Sequence, residues 1–146
     1  MDKLSIGIAC DHAGFEFKER LKTDLEKEGY KVTDYGTYSD ESTDYPDYAH
    51  PLAQAVEDKK HIFGITLCGS GNGINMTSNK HQGIRAALCW NVEISELARL
   101  HNDANICSLP ARFVNYDLAK QIVDKFLTTE FEGGRHIRRI NKIPLK

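Results

Sequence analysis

Five short apolar stretches, each followed by a helix-like or turn-rich segment, constrain the fold of this chain most strongly. Short β-rich runs that alternate with amphipathic segments are typical of a parallel sheet, because each parallel crossover needs a covering helix. The pattern therefore predicts an α/β protein whose parallel sheet is covered by helices on both faces. We expect one domain over residues 1–146, with a basic tail from about residue 133. The predicted strands are residues 4–10, 30–35, 62–67, 84–89 and 104–109.

The overall charge and the cysteines exclude several classes of protein. A net charge of −2 gives no general attraction to nucleic acid, and no apolar run is long enough to span a membrane. The four cysteines, Cys10, Cys68, Cys89 and Cys107, are widely spaced and form no C-x-x-C pair, which argues against a zinc ribbon or a redox dithiol. No secretory signal precedes the first predicted strand. We therefore expect a cytoplasmic protein with reduced thiols and with no nucleic-acid or membrane partner.

Residues 67–74, with the sequence LCGSGNGI, join the third predicted strand to a helix. Glycine at alternate positions lets the backbone approach a ligand closely, and N–H groups at a helix start favour an anion. Cys68 stands at the entrance, where a thiolate would be stabilised. The spacing fits neither a dinucleotide-binding turn, nor a Walker A loop, nor a cysteine phosphatase loop. A plain glycine-rich turn with Cys68 as a small buried residue stays open as an alternative.

In a parallel α/β sheet the ligand binds beyond the carboxyl ends of the strands. The chain brings Asp11 and His12 to that edge after strand one, Cys68 and the glycines after strand three, and Arg112 after strand five. Acid–base groups, a thiol and a guanidinium group are thereby predicted to converge. The alternative is that Asp11 only caps a helix and that His12 is a surface residue.

Other charged residues add to this set. His101 ends a helix, where it is either a general acid or a residue stabilised by the helix dipole. Arg135 and Arg139 would face one way on a helix and suit a phosphate, although a solvated basic tail also explains them. The remaining histidines have no such context, and we expect them on the surface: His50, His61 and His81.

Seven motifs follow one another over residues 6–140 and together resemble the ribose-5-phosphate isomerase B family, which also contains galactose-6-phosphate isomerase subunits. The resemblance implies a Rossmann-like three-layer α/β/α sandwich with a five-stranded parallel sheet. It also implies aldose–ketose isomerisation of D-ribose 5-phosphate to D-ribulose 5-phosphate, in the non-oxidative branch of the pentose phosphate pathway, without a metal or organic cofactor. The motifs are residues 7–15 (GIACDHAGF), 43–46 (TDYP), 68–74 (CGSGNGI), 79–80 (NK), 83–86 (GIRA), 101–105 (HNDAN) and 132–136 (EGGRH).

By this resemblance, Cys68 is the base that moves a proton between C1 and C2 of the sugar, and the Ser70 hydroxyl helps move the proton between the oxygens. His101 opens the furanose ring, with Asp11 near the ring oxygens. One branch of the family lacks the cysteine and has glutamate at the position of Ile74, so this chain resembles the cysteine branch. The implied substrate-binding residues are Asp11, His12, Tyr45, Gly69, Ser70, Gly71, Asn72, Gly73, Asn102, Arg112, Arg135 and Arg139.

The resemblance further implies a homodimer or a tetramer with the active site between subunits, so that His101 and Arg112 serve the neighbour's pocket. Arg138 lies beside Arg139, and the four-residue spacing from Arg135 favours Arg139 as the phosphate ligand. Two other functions stay open at this point. One is isomerisation of galactose 6-phosphate or allose 6-phosphate, and the other is a non-catalytic subunit of a hetero-oligomeric isomerase.

Overall fold

The computed structural model describes residues 4–145 and contains a five-stranded sheet in the order β2-β1-β3-β5-β4. Every pair of neighbouring strands in this sheet is parallel, as the alternating sequence pattern predicted. The strands are β1 (Ser5–Cys10), β2 (Lys31–Asp34), β3 (Phe63–Cys68), β4 (Ala86–Leu88) and β5 (Ile106–Pro110). The helices are α1 (Phe15–Lys27), α2 (Tyr45–Glu57), α3 (Asn72–Ser78), α4 (Val92–Asn102), α5 (Tyr116–Thr128) and α6 (Arg135–Ile140).

Helices cover both faces of the sheet, so the predicted α/β/α sandwich is confirmed. On one face, residues of α1 and α5 pack against alternate side chains of β1 and β3, such as Ile6 and Ile65. On the other face, Leu52 of α2 packs against Ala9 and Ile106. Gly7 allows this approach, because a Cβ atom there would lie 2.2 Å from a Leu52 methyl carbon. None of the helices in residues 4–145 has the length and apolar character needed to cross a membrane.

Helix α2 runs without interruption from Tyr45 to Glu57 with Pro51 inside it. Pro46 occupies a first-turn position, where its missing N–H group has no intrahelical partner to lose. Pro51 is exposed, so the carbonyl group that it leaves without a donor can be solvated.

The prediction that His61 is a surface residue was wrong. The residue is 7% exposed, and its ring bridges two hydroxyl groups, Ser5 Oγ at 2.7 Å from Nδ1 and Tyr35 Oη at 2.7 Å from Nε2. Burial is the main reason that the pKa of His61 is lowered, so the neutral ring is favoured. His50 and His81 lie nearer the surface and share a hydrogen bond of 2.9 Å between Nδ1 and Nε2.

Candidate active site

Cys68 is the last residue of β3 and lies at the carboxyl edge of the sheet, opposite Pro110 of β5. It is 4% exposed and packs against Ala49 and Ile74. The other three cysteines are fully buried, and burial raises the pKa of Cys10 to about 12. All four thiols are free, as the sequence predicted. Cys68 is therefore the one thiol of the chain with access to the site edge.

The loop after Cys68 turns sharply into α3, and Gly71 makes that turn. Its φ of +79° lies in the left-handed region, and a Cβ atom there would lie 2.5 Å from a Leu88 methyl carbon. Helix α3 begins at Asn72, two residues before the predicted first turn at Ile74. The Ser70 hydroxyl accepts the Asn72 N–H at 3.2 Å, while the next N–H groups of the helix start have no intrahelical partner. We name residues 68–74 the thiol cradle.

Tyr45 covers the thiol cradle from the side. A Cβ atom on Gly73 would lie 2.3 Å from Cζ and 2.6 Å from the hydroxyl oxygen of Tyr45. The phenol ring therefore lies directly against the first turn of α3. Glycine at position 73 is required by this close approach, and the Tyr45 hydroxyl is placed beside main-chain N–H groups that an anionic oxygen would contact.

Arg112 lies beside the thiol cradle of its own chain. Ala111 N–H donates to the carbonyl of Cys68 and Arg112 N–H donates to the carbonyl of Gly69, both at 3.0 Å. The Arg112 guanidinium nitrogen Nη1 lies 3.4 Å from the position that a Cβ atom on Gly69 would take. This placement differs from the expectation that Arg112 serves the neighbouring pocket, because the turn after β5 is bonded to the loop after β3.

Asp11 and His12 reach the same edge, as the order of strands predicted. The Asp11 carboxylate accepts the N–H of Ala13 at 2.9 Å, so its role as a helix cap is confirmed. His12 Nδ1 accepts the N–H of Thr43 at 3.1 Å, so a neutral His12 ring carries its proton on Nε2. That N–H group is available to donate to an anion.

His101 and Asn102 lie at the opposite, amino edge of the sheet. They are the last two residues of α4, and β5 begins four residues later at Ile106. The length of β5, roughly 13 Å, separates this edge from Cys68. The structure therefore does not bring His101 to Cys68 of the same chain.

Helix α6 places a second group of residues beside His101. The His101 and His136 rings stack with centroids 4.4 Å apart, and Glu132 N–H donates to the carbonyl of Leu100 at 3.0 Å. Arg135 and Arg139 are exposed and one helical turn apart, as predicted if the basic tail is helical. Burial lowers the pKa of His136, and the neighbouring His101 and Arg135 charges lower it further. Glu132 and His136 were not among the predicted site residues, although their four-residue spacing is visible in the sequence.

The fold and the carboxyl edge together indicate the class of protein. It is an α/β protein whose thiol and main-chain N–H groups are suited to proton transfer on an anionic small molecule. The sequence model of the Ribose/Galactose Isomerase family matches residues 6–143. Ribose-5-phosphate isomerase B of Escherichia coli (strain K12) is 43% identical over 143 residues, which cover 98% of this chain and 95% of that protein. The chain therefore belongs to the ribose/galactose isomerase family and resembles its ribose-5-phosphate isomerase B members.

Solved structures agree with this assignment. A ribose 5-phosphate isomerase of Thermotoga maritima is 52% identical, has a TM-score of 0.95, and the match covers 97% of each chain. Ribose-5-phosphate isomerase B of Mycoplasma genitalium, solved with bound ribulose-5-phosphate, is 41% identical with a TM-score of 0.93. That match covers 98% of this chain and 95% of the other.

Proposed function

We propose that this protein interconverts D-ribose 5-phosphate and D-ribulose 5-phosphate through a cis-enediolate, with Cys68 as the base. The observation that supports this most is the position of Cys68, a nearly buried thiol at the carboxyl edge beside N–H groups of a helix start. Aldose–ketose isomerisation needs a base for a carbon-bound proton and donors for the oxygen that becomes negative. The thiol cradle has both within one loop.

The steps of this proposal use groups of the carboxyl edge. The Cys68 thiolate removes the C2 proton of the open-chain aldose, and the electron pair of that bond leaves negative charge on O1. Main-chain N–H groups of Gly73 and Ile74 stabilise that charge, since they are free at the helix start. The Ser70 hydroxyl passes a proton from O2 to O1, and the Cys68 thiol returns its proton to C1.

The remaining residues hold the substrate. His12 and Arg112 lie on the carboxyl edge and are suited to an anionic phosphate. Asp11 and Tyr45 line the sugar beside the thiol cradle, where Gly69, Gly71 and Asn72 add main-chain contacts.

Ring opening requires a second copy of the chain. His101 is the proposed acid–base group for the furanose ring, but it lies across the sheet from Cys68 of its own chain. We propose a homodimer, or a tetramer built from such dimers, in which His101, Asn102, Arg135 and Arg139 of one subunit complete the thiol cradle of its partner. The exposure of both arginines is consistent with this arrangement.

The proposed activity also suggests a metabolic pathway and a location in the cell. Interconversion of these two pentose phosphates belongs to the non-oxidative branch of the pentose phosphate pathway. Four free thiols with no disulfide suit a reducing compartment, so we propose a cytoplasmic location.

The test is turnover of purified protein on D-ribose 5-phosphate in D2O, with Cys68→Ala and Cys107→Ala compared. We expect Cys68→Ala to lower kcat at least about 100-fold while ribose 5-phosphate still binds, because the base acts mainly in the transition state. Cys107→Ala removes a buried thiol within β5 and is the matched control, with kcat nearly unchanged. We also expect part of the ribulose 5-phosphate formed to carry solvent deuterium at C1, because in some turnovers the Cys68 thiol exchanges its hydrogen with D2O before it returns it.

Normal turnover of Cys68→Ala would remove the thiol from the mechanism. Complete absence of deuterium from both pentose phosphates after prolonged incubation, when each molecule has been turned over many times, would favour a hydride shift over an enediolate.

A six-carbon substrate is the second candidate, because the matching family model covers galactose as well as ribose isomerases. Comparing kcat/KM on ribose 5-phosphate, allose 6-phosphate and galactose 6-phosphate decides between them. We expect the highest value with ribose 5-phosphate. Inactivity on all three would support a non-catalytic subunit.

A further inference from the structure

Three potential metal ligands converge at the amino edge of the sheet. The side chains of His101, Glu132 and His136 place one ligand atom each within 4.8 Å of one another. Glu132 Oε2 lies 3.8 Å from Nε2 of His101 and 3.8 Å from Nε2 of His136. The two imidazole rings are stacked at an interplanar angle of 18°. We call these three residues the His–Glu–His cluster.

One member of the cluster is buried and lacks a partner. The His136 side chain is 8% exposed, and among residues 4–145 its Nε2 atom has no hydrogen-bond partner. A buried polar atom without a partner is destabilising, because it has lost its hydrogen bonds to water. The Glu132 carboxylate faces this nitrogen, but their separation of 3.8 Å is too long for a hydrogen bond. His136 Nε2 therefore lies near the ligand atoms of His101 and Glu132 but forms no hydrogen bond with either of them.

We propose that the His–Glu–His cluster binds a divalent transition metal ion such as Zn²⁺, and that binding inhibits the enzyme by occupying His101. Two imidazole nitrogens and one carboxylate oxygen are a ligand set that zinc accepts, with water in the fourth position. The inhibitory part rests on the proposed ring-opening role of His101, whereas the binding part does not.

Modest movement would bring the ligands to a metal. Tetrahedral zinc with bonds of about 2.1 Å needs ligand atoms about 3.4 Å apart. The two separations of 3.8 Å to Glu132 must close by a few tenths of an ångström, and the separation between the two imidazoles, which is within 4.8 Å, by up to about 1.4 Å. The stacked rings must also tilt toward each other. The side chains of Glu132 and His101 are 52% and 39% exposed, so they have room to move toward the fixed His136 ring. Arg135 and Arg139 carry positive charge near the cluster, so we expect weaker binding than at a closed structural zinc site.

The binding test is competition for Zn²⁺ between the protein and a chromophoric chelator. We expect His136→Gln and Glu132→Gln to weaken binding at least about tenfold, as loss of one ligand does. His81→Gln is the matched control, because His81 also lies beside a histidine, His50, and a carboxylate, Glu57. We expect that control to change the affinity by less than about twofold. Glu132 is exposed, so its variant tests the cluster even if His136→Gln fails to fold.

The same titration on Cys68→Ala separates the cluster from the thiol. Unchanged Zn²⁺ affinity is expected there, and a Co²⁺ spectrum without a sulfur charge-transfer band. Loss of binding in Cys68→Ala, or equal affinity in the unsubstituted protein and in both cluster variants, would overturn the proposal.

Inhibition is measured as the ratio of isomerase activity with and without Zn²⁺ for each protein. We expect the half-inhibiting concentration to match the dissociation constant and to rise about tenfold in Glu132→Gln. Binding without inhibition would overturn the inhibitory part alone. Metal-free protein without isomerase activity would count against the proposed function, while the chelator titration would still decide the metal site.

Discussion

Lys18 lies in the interior with its ammonium nitrogen 2.6 Å from Asp34 Oδ2 and 3.2 Å from Glu19 Oε2. Its side chain is fully buried, although it belongs to a charged stretch of α1. Burial alone would lower the pKa of Lys18, but the bonds to Asp34 and Glu19 outweigh it, so the pKa is raised. The lysine is therefore a structural cation rather than a solvated one.

We predict that Lys18→Met destabilises the protein by about 3 kcal/mol, because it leaves a largely buried Asp34 carboxylate without its closest cation. Lys22→Met is the matched control on the same helix, since Lys22 lies 3.8 Å from the same carboxylate but is 35% exposed. We expect that control to cost less than about 1 kcal/mol. Urea unfolding of both variants measures the difference, and equal losses would contradict the assignment.

The character of single residues was the hardest property to predict from sequence. Lys18 and His61 both occur in polar segments, and their partners Asp34 and Tyr35 are distant in the chain. Local pattern favours solvent exposure for such residues, whereas a long-range partner makes burial tolerable. The cap at Asp11 was one of the two interpretations that the sequence offered, because its hydrogen bond is local.

Two asparagine side chains hold β4, the shortest strand of the sheet. Asn79 donates to and accepts from the backbone of Ala86, and Asn105 accepts the N–H of Arg85 and donates to the carbonyl of Gly83. These contacts give a structural role to residues of the motifs at 79–80, 83–86 and 101–105. They also explain why β4, at Ala86–Leu88, is shorter than the predicted strand at 84–89. The N–H groups of Arg85 and Ala86 donate to side-chain amides and not to a neighbouring strand.

We predict that Asn105→Asp destabilises the protein by about 2 kcal/mol, because a carboxylate would face the Gly83 carbonyl in place of a donor. Asn91→Asp is the matched control. It makes the same chemical change at the start of α4, where only the side-chain oxygen is used, as acceptor for Ile94 N–H. We expect that control to keep its stability within about 0.5 kcal/mol. Thermal unfolding compares the two, and similar melting temperatures would argue against the role of Asn105.

The alternation of strands and helices along the chain was sufficient to predict all five strands and the parallel sheet. It also placed Asp11, Cys68 and Arg112 at one edge, because parallel strands end together. What it left open was whether His101 joins them. Since α4 runs antiparallel to the strands, its last residues must lie at the other edge.

Cys68 and His101 lie at opposite edges of the sheet, which leads to a prediction about dimers formed from two different inactive variants. If each site takes Cys68 from one chain and His101 from its partner, inactive Cys68→Ala and inactive His101→Asn chains should regain activity when refolded together. With random pairing, half of the dimers contain one chain of each variant, and one of the two sites in such a dimer is intact. We therefore expect about a quarter of the wild-type activity. Steady-state turnover of the refolded mixture measures this.

Cys68→Ala mixed with Arg112→Ala is the matched control, because both residues lie beside the same thiol cradle. No intact site can form in that pair, so we expect no recovery. Recovery in the control, or none with His101→Asn, would show that the residues are divided between chains differently.

The distance between Cys68 and His101 within one chain also has a consequence for how much protein is needed. One chain holds the two residues at opposite edges of its sheet, so if the proposed dimer forms the site between subunits, activity per molecule should fall on dilution below the subunit dissociation constant. At a low concentration of the protein, isomerase activity would then be lost even without an inhibitor.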